Sequence, residues 1–257
     1  MTGDMTGDTA RGTTLIGALL PGTVSVAETF GAPPAGVLLP EEERVVARAV
    51  EKRKREFAAG RWCARRALAG LGSPPVPILP GPRGEPRWPS GTVGALTHCE
   101  GYAAAAVAPR QEVLAVGADA EPARPLPDGI LDAVSLPDER AHLPRDRPGA
   151  PPLPWDTLLF SAKEAVYKAW FPMTGRTLGF EDAFLTFDPA GGTFTARLLV
   201  PGWQLADRLL TGFEGRWAVR SGLVVTAVAV PAAHTGPTAR PTGSATAPLC
   251  GGEGPQA

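Results

Sequence analysis

Cysteine, net charge and long apolar runs are all scarce in this chain. Its three cysteines, Cys63, Cys99 and Cys250, make neither an even framework nor a C-x-x-C pair. That excludes a disulfide-stapled scaffold or a zinc ribbon and suits reduced thiols. The net charge is −1, so bulk electrostatics favours no nucleic-acid partner. No apolar run approaches the roughly 18 residues that a helical membrane span needs. The opening residues MTGDMTGDTARGTT have neither the basic start nor the apolar core of a secretion signal. A cytoplasmic protein is the expectation, with neither membrane nor nucleic acid as partner.

What the chain has is enough apolar residues, 44% of 257, for one large core or two small ones. Glycine and proline are abundant, at 31 and 29 residues, and gather at the ends and in connectors. Residues 1–13 and 231–257 therefore read as disordered. LPEEERVVARAVEKRKREFAAGRWCARRALAGLG has the acids-first polarity of helices and predicts two of them. Strand-like runs follow at Val93–Thr97, Tyr102–Ala108 and Val113–Asp119. A short helix is expected at Ile130–Val134, in a proline-rich stretch whose part Asp138–Leu153 can vary in conformation. A long helix at Trp155–Trp170 is expected to stop at Pro172. Strands return at Ala183–Phe187, Thr193–Val200 and in a hairpin over Trp217–Val230 turned by Ser221-Gly222. The order helix, strands, connector, helix, strands suggests two similar α+β lobes, one at 14–115 and one at 116–230.

Four clusters carry chemistry. Asp119 and Glu121 close an apolar strand on one face, a pair of hard oxygen donors suited to Mg2+ or Mn2+. Acids at strand ends are also ordinary solvated positions. In FSAKEAVYKAW, Glu164 and Lys168 share a helical face between bulky apolar groups. A surface ion pair, or a capping box from Ser161 to Glu164, explains the same letters. A carboxylate flanked by Lys163 and Lys168 near two further acids is equally what phosphoryl transfer requires. Thr97 and His98, in VGALTHCEGY, can bind phosphate through hydroxyl and imidazole. Arg53, Arg61 and Arg65 lie roughly on one helical face, suited to a small anion or to simple solvation.

Taken in order, Arg53 to Arg61, GEPRWPSGTVGALTHCEGY, VGADAE, WDTLLFSAKEAVYKAW and GRWAVRSGLVVTAVAV resemble the 4'-phosphopantetheinyl transferases. The likeness runs from about Leu38 to Val230. It is to the large monomeric type that activates surfactin and enterobactin synthases, and above all to actinobacterial and mycobacterial members and relatives in siderophore synthesis. The resemblance implies an α+β fold of two pseudosymmetric lobes with coenzyme A in the cleft between them. It implies Mg2+-dependent transfer of the phosphopantetheine arm to a serine of apo acyl or peptidyl carrier proteins, with release of 3',5'-ADP. Such carriers serve fatty acid, polyketide and nonribosomal peptide synthesis. Carried over residue by residue, Asp119, Glu121 and Glu164 become metal ligands. Glu164 and Lys168 become catalytic. Arg53, Arg61, Thr97, His98, Asp119, Lys163 and Lys168 meet coenzyme A. Phe160, Tyr167 and Trp170 become candidates for the wall of the pantetheine channel.

One position departs from the family pattern. Pro80 stands where relatives carry a base before the GEP loop, and Arg83 is the residue able to substitute. Two other readings remain open on sequence alone. A non-catalytic coenzyme A or adenine-nucleotide binding module would keep the arginines and His98 without needing three acids and Lys168. A nucleic-acid binder would use Lys52 to Arg55.

Overall fold

A computed structural model describes residues 14–144 and 152–232. The expectations for 1–13 and 233–257, and for 145–151 of the proline-rich segment, lie outside the described residues. The fold is mixed α+β, with four layers stacked helix, sheet, sheet, helix.

The first sheet orders its antiparallel strands β1 (Ser25–Phe30), β3 (Tyr102–Pro109) and β2 (Thr92–Cys99), with β3 in the middle. Strand β3 reads YAAAAVAP because both of its faces are covered. Ala103, Ala105 and Val107 pack under a long helix, while Ala104, Ala106 and Ala108 meet the second sheet. A strand buried on both faces has no polar face to alternate with. The helix above it, α2 (Glu51–Gly70), buries Phe57, Cys63, Ala64, Ala67 and Leu68 at three-to-four spacing. A short helix α1 (Pro40–Val46) precedes it, so the expected pair of helices is present. Fully buried Glu42 of α1 accepts from the Leu39 and Ile78 amides and pairs with Arg65 at 2.7 Å. Arg65 is thereby committed to the fold, not to the face it was expected to share with Arg53 and Arg61.

The second sheet contains β4 (Val113–Pro122), β5 (Ala183–Asp188), β6 (Thr193–Leu198), β9 (Gly212–Arg220) and β10 (Leu223–Pro231), in the order β4-β10-β9-β6-β5. The two-residue strands β7 (Trp203–Gln204) and β8 (Leu209–Leu210) pair apart from it. The β9–β10 turn has φ of 52° at Ser221 and 73° at Gly222. Positive φ at both central residues matches the right-handed twist of the paired strands, as the sequence led us to expect. Val116, Ala118, Ala120, Val225 and Ala227 face the first sheet; Ala115, Val224 and Val228 face a second long helix. This helix, α5 (Trp155–Thr174), mirrors α2 on the opposite outer surface.

Between β4 and α5 the chain forms α3 (Ile130–Val134), where a helix was expected, and α4 (Pro137–His142), which was not. Helix α5 also runs past its expected stop. Pro172 lies inside the last turn, and the helix ends at Gly175, with φ 69° and its N–H bonded to the Phe171 carbonyl. A proline this close to the end forfeits one hydrogen bond, which a tightly packed helix tolerates. The capping box is absent as well. Ser161 sits in the second turn, and its side chain meets Thr226 of β10. Strand β1 escaped sequence reading because Ser25 to Thr29 are all half-buried, with no alternation, and Glu28 stands among them.

Helix α5 crosses β4 at Gly117. A Cβ there would lie 1.9 Å from the Ala165 carbonyl oxygen and 3.0 Å from the Ala169 nitrogen, both backbone atoms. Gly117→Ala must therefore push the helix off the sheet. We expect a loss of about 3 kcal/mol of stability in urea unfolding, at the upper end for overpacking, because the obstacle is backbone.

Candidate active site

A cleft of about 350 Å³ opens where β2, β4, α2, α5 and the 83–86 loop meet. Strand pleat sends Asp119 and Glu121 to the same side as Gly117, under α5. Helical spacing puts Glu164, Tyr167, Lys168 and Phe171 on one stripe facing them. Arg53, Arg61, Arg83, Thr97, His98, Asp119, Glu121, Phe160, Glu164, Tyr167 and Lys168 all line this cleft.

Two of the expected residues are placed otherwise. Lys163 is buried, and its Nζ donates to Glu139 at 2.7 Å, to the Ala183 carbonyl at 3.1 Å and to the Phe180 carbonyl. One residue before Glu164 on a helix means about 100° around the axis, so Lys163 leaves the cleft and borders a separate cavity of about 250 Å³. Trp170 is fully buried in the core, which leaves Phe160 and Tyr167 as wall residues. Sequence reading missed Phe171, whose ring stacks on Tyr167 with centroids 5.8 Å apart. Its place four residues beyond Tyr167 was the available signal. It also missed Glu56 in the basic helix, which lies 4.0 Å from both Lys52 and Arg53.

The cleft carries charges of both signs. Its basic groups are Arg53, Arg61, Arg83 and His98, together with Lys168. Arg53 Nη1 lies 3.4 Å from His98 Nε2. Buried Arg61 donates from Nε to the Ile78 carbonyl and lies 3.9 Å over the Phe57 ring. Burial, opposed by Glu42, holds its pKa down to about 10, so it stays charged at neutral pH. Arg83 approaches the Phe171 ring at 5.6 Å, on a loop that Glu85 ties to the Arg83 amide. Desolvation lowers the pKa of His98, with Arg53 and Lys168 adding to the effect against Glu56 and Asp119.

The acids of the cleft are Asp119, Glu121 and Glu164, with Glu56 and Glu85. Asp119 Oδ1 receives Lys168 Nζ at 2.6 Å and the Thr97 hydroxyl at 3.2 Å. Its Oδ2 is buried without a partner. Burial, and then the Asp119 charge, push Glu121 up to about 7, with Lys168 opposing. Burial also raises Glu164, and Asp119 adds to it against Lys168. Three carboxylates thus share one ammonium. Among the described residues no three His, Cys, Asp or Glu side chains stand close enough to form a complete metal cage. Mg2+ completes its shell with water and substrate phosphate beside its carboxylates, so a cage preformed by the protein alone is not required. The orphaned Oδ2 and the excess negative charge fit a divalent cation of that kind.

Comparison with known proteins gives the same family along both halves of the chain. A profile described as the 4'-phosphopantetheinyl transferase N-terminal domain matches residues 41–108, and one described as the 4'-phosphopantetheinyl transferase superfamily matches 115–225. The chain is 56% identical over 221 residues to the 4'-phosphopantetheinyl transferase Svp of Streptomyces mobaraensis, covering 85% of this chain and 90% of that one. It is 53% identical over 223 residues to the 4'-phosphopantetheinyl transferase PptT of Mycobacterium tuberculosis, covering 84% and 97%. It is 49% identical over 224 residues to the 4'-phosphopantetheinyl transferase Npt of Nocardia iowensis, covering 84% and 99%. No helix among the described residues is long and apolar enough to cross a membrane.

Glu121 gives a prediction on stability. Its folded pKa, about 7, exceeds the ordinary 4.5, so the folded state holds the proton more tightly than the unfolded one. The penalty for ionising it is absent below pH 4.5, grows between the two values and is complete above pH 7. Glu121→Gln should therefore raise the melting temperature of the divalent-free protein at pH 8 and leave it nearly unchanged at pH 4.5. Differential scanning calorimetry in a chelator checks both.

Proposed function

This chain belongs to the 4'-phosphopantetheinyl transferase superfamily, and on that premise we propose how its residues move a phosphopantetheine arm from coenzyme A to a serine hydroxyl of an apo acyl or peptidyl carrier protein. The observation that carries the reading is the meeting of Asp119, Glu121, Glu164 and Lys168 in one cleft with Arg53 and His98. A cleft that combines three acids and an ammonium with three guanidiniums and an imidazole suits a ligand with several phosphate groups and a divalent cation, and coenzyme A has a pyrophosphate and a 3'-phosphate.

In this reading Arg53, Arg61, His98 and Arg83 bind the 3'-phosphoadenosine half. Arg83 takes the part that Pro80 cannot. Phe160, Tyr167 and Phe171 flank the arm. Asp119, Glu121 and Glu164 would hold a divalent cation, Mg2+ or Mn2+, against the pyrophosphate. When bound, that ion supplies charge neutralisation and polarises the reacting phosphoryl group.

The remaining chemistry falls to side chains. Glu164 takes the serine proton, directly or through a water. Burial raises its affinity for a proton, the direction a proton acceptor needs. The serine oxygen forms a bond to the β-phosphorus as the bond from that phosphorus to the bridging oxygen breaks. The electron pair leaves with 3',5'-ADP. Lys168, resting on Asp119 in the free protein, donates to the oxygens on which charge accumulates. The two halves of the chain, the lobes 14–115 and 116–230, close the cleft as a monomer.

The test is transfer itself, read as the mass gained by an apo carrier protein incubated with coenzyme A and Mg2+. Glu164→Gln should fold and still bind coenzyme A, but lose at least about 100-fold in turnover, the scale of a general base. Lys168→Ala should lose about 100- to 1,000-fold in kcat, as for removal of one donor to developing charge. No mass gain by the wild-type protein across a panel of carriers would leave only a binding module. Near-normal turnover by Glu164→Gln would return Glu164 to a structural role.

A further inference from the structure

Thr97 was expected to touch phosphate, yet its surroundings assign its hydroxyl elsewhere. The residue is 3% exposed, in β2 of the first sheet. Its Oγ1 donates to Asp119 Oδ1 at 3.2 Å and accepts the Ala120 amide at 3.1 Å, both on β4 of the second sheet. A threonine hydroxyl has one proton. Here the Asp119 carboxylate has it, and the amide of the next residue fixes the hydroxyl oxygen against which the carboxylate rests. To bind phosphate, Thr97 would have to abandon a buried carboxylate and a buried N–H together, and each is costly to leave unpaired.

The effect on Asp119 is specific. Its Oδ1 receives two donors, Thr97 Oγ1 from one sheet and Lys168 Nζ from α5. Its Oδ2 receives none. A carboxylate clamped at one oxygen from two directions cannot rotate freely, so its two oxygens are no longer equivalent. If Lys168 turns toward an incoming phosphate, the Thr97 hydroxyl is the bond that remains to keep the carboxylate in place.

We infer that Thr97 is a positioning residue: it orients Asp119 across the seam between the two sheets, leaving Oδ2 as the oxygen available to the divalent cation, and does not itself bind coenzyme A. The inference rests on the function proposed above for Asp119. It separates two quantities that a phosphate ligand would join. The cation requirement depends on Thr97, whereas cation-free affinity for coenzyme A does not.

Three measurements on wild type, Thr97→Ser and Thr97→Val test this. Turnover at saturating coenzyme A is titrated with Mg2+. Mn2+ binding in the presence of coenzyme A is followed by electron paramagnetic resonance. Coenzyme A binding in a chelator is followed by calorimetry. Thr97→Val keeps the shape and removes the hydroxyl. It should raise the cation concentration for half-maximal turnover, and for half-saturation with Mn2+, by about 10- to 100-fold, the scale of one hydrogen bond to a charged group. Its cation-free affinity for coenzyme A should stay within about twofold of wild type, and Thr97→Ser should restore the cation dependence. Weakened cation-free binding with an unchanged cation requirement would make Thr97 a phosphate ligand and overturn the inference. So would no change in either quantity, which would leave Thr97 to packing alone. Should Thr97→Val not fold, Thr97→Cys, of similar size with a weak donor, replaces it and carries the same expectations. Inactive wild-type protein that still binds Mn2+ with a Thr97-dependent affinity would count against the transferase reading and not against this one.

Discussion

Helix α5 lies against strand β4 with no space for a side chain at Gly117, and the geometry of the candidate site depends on that contact. Two residues along the strand, on the same side, comes Asp119. One residue before Ala169, whose backbone nitrogen limits the space, comes Lys168. Backbone touching backbone sets the distance from which a lysine reaches a carboxylate at 2.6 Å. A bulkier contact would leave Lys168 and Glu164 in a looser groove. The helix is further held by Ser161 against Thr226 and by buried Lys163 against Glu139, one on each side of the stripe that faces the cleft. Neither anchor faces the cleft, and both fix the rotation of α5 about its own axis.

The charges held by this frame work against the fold. Asp119, Glu121 and Glu164 crowd around a single ammonium, and burial raises the proton affinity of both glutamates. A protein selected only for stability would not gather them. On the function proposed here, a divalent cation would offset the acids and the phosphates would take up the arginines and Lys168. The groups that repel one another in the free protein would then be mutually satisfied with substrate present. Functional sites commonly carry strain of this kind.

How far this was readable from sequence differs by element. Helices α1, α2 and α5, strands β2 to β4 and the β9–β10 hairpin follow from local periodicity and from turn residues such as Ser221-Gly222. Strand β1 does not, since its half-buried residues show no alternation. Most residues of the cleft were nameable in advance through the order of the motifs, though Phe171 and Glu56 were not, and the partners of none were. Lys163 and Lys168 look equivalent beside Glu164 as letters. Only the packing of α5 shows that Lys163 turns toward Glu139 and Lys168 toward Asp119. Thr97 next to His98 looks like half of a phosphate site, and its link to Asp119 spans 22 residues and two sheets. Such pairings arise from tertiary contact, which local sequence does not encode. Ser161-x-x-Glu164 misled in the opposite way: a pattern that caps helix starts falls here inside a helix, where the sheet supplies the serine's partner.

The most direct test of this account is a crystal structure of the protein with coenzyme A and Mn2+, the metal located by its anomalous scattering. One Mn2+ is expected between the pyrophosphate and the Asp119, Glu121 and Glu164 carboxylates, with Lys168 turned to the phosphates and the 3'-phosphate against Arg53 and His98. Metal found away from those acids, or pyrophosphate lying against Arg53 and His98 instead, would contradict it.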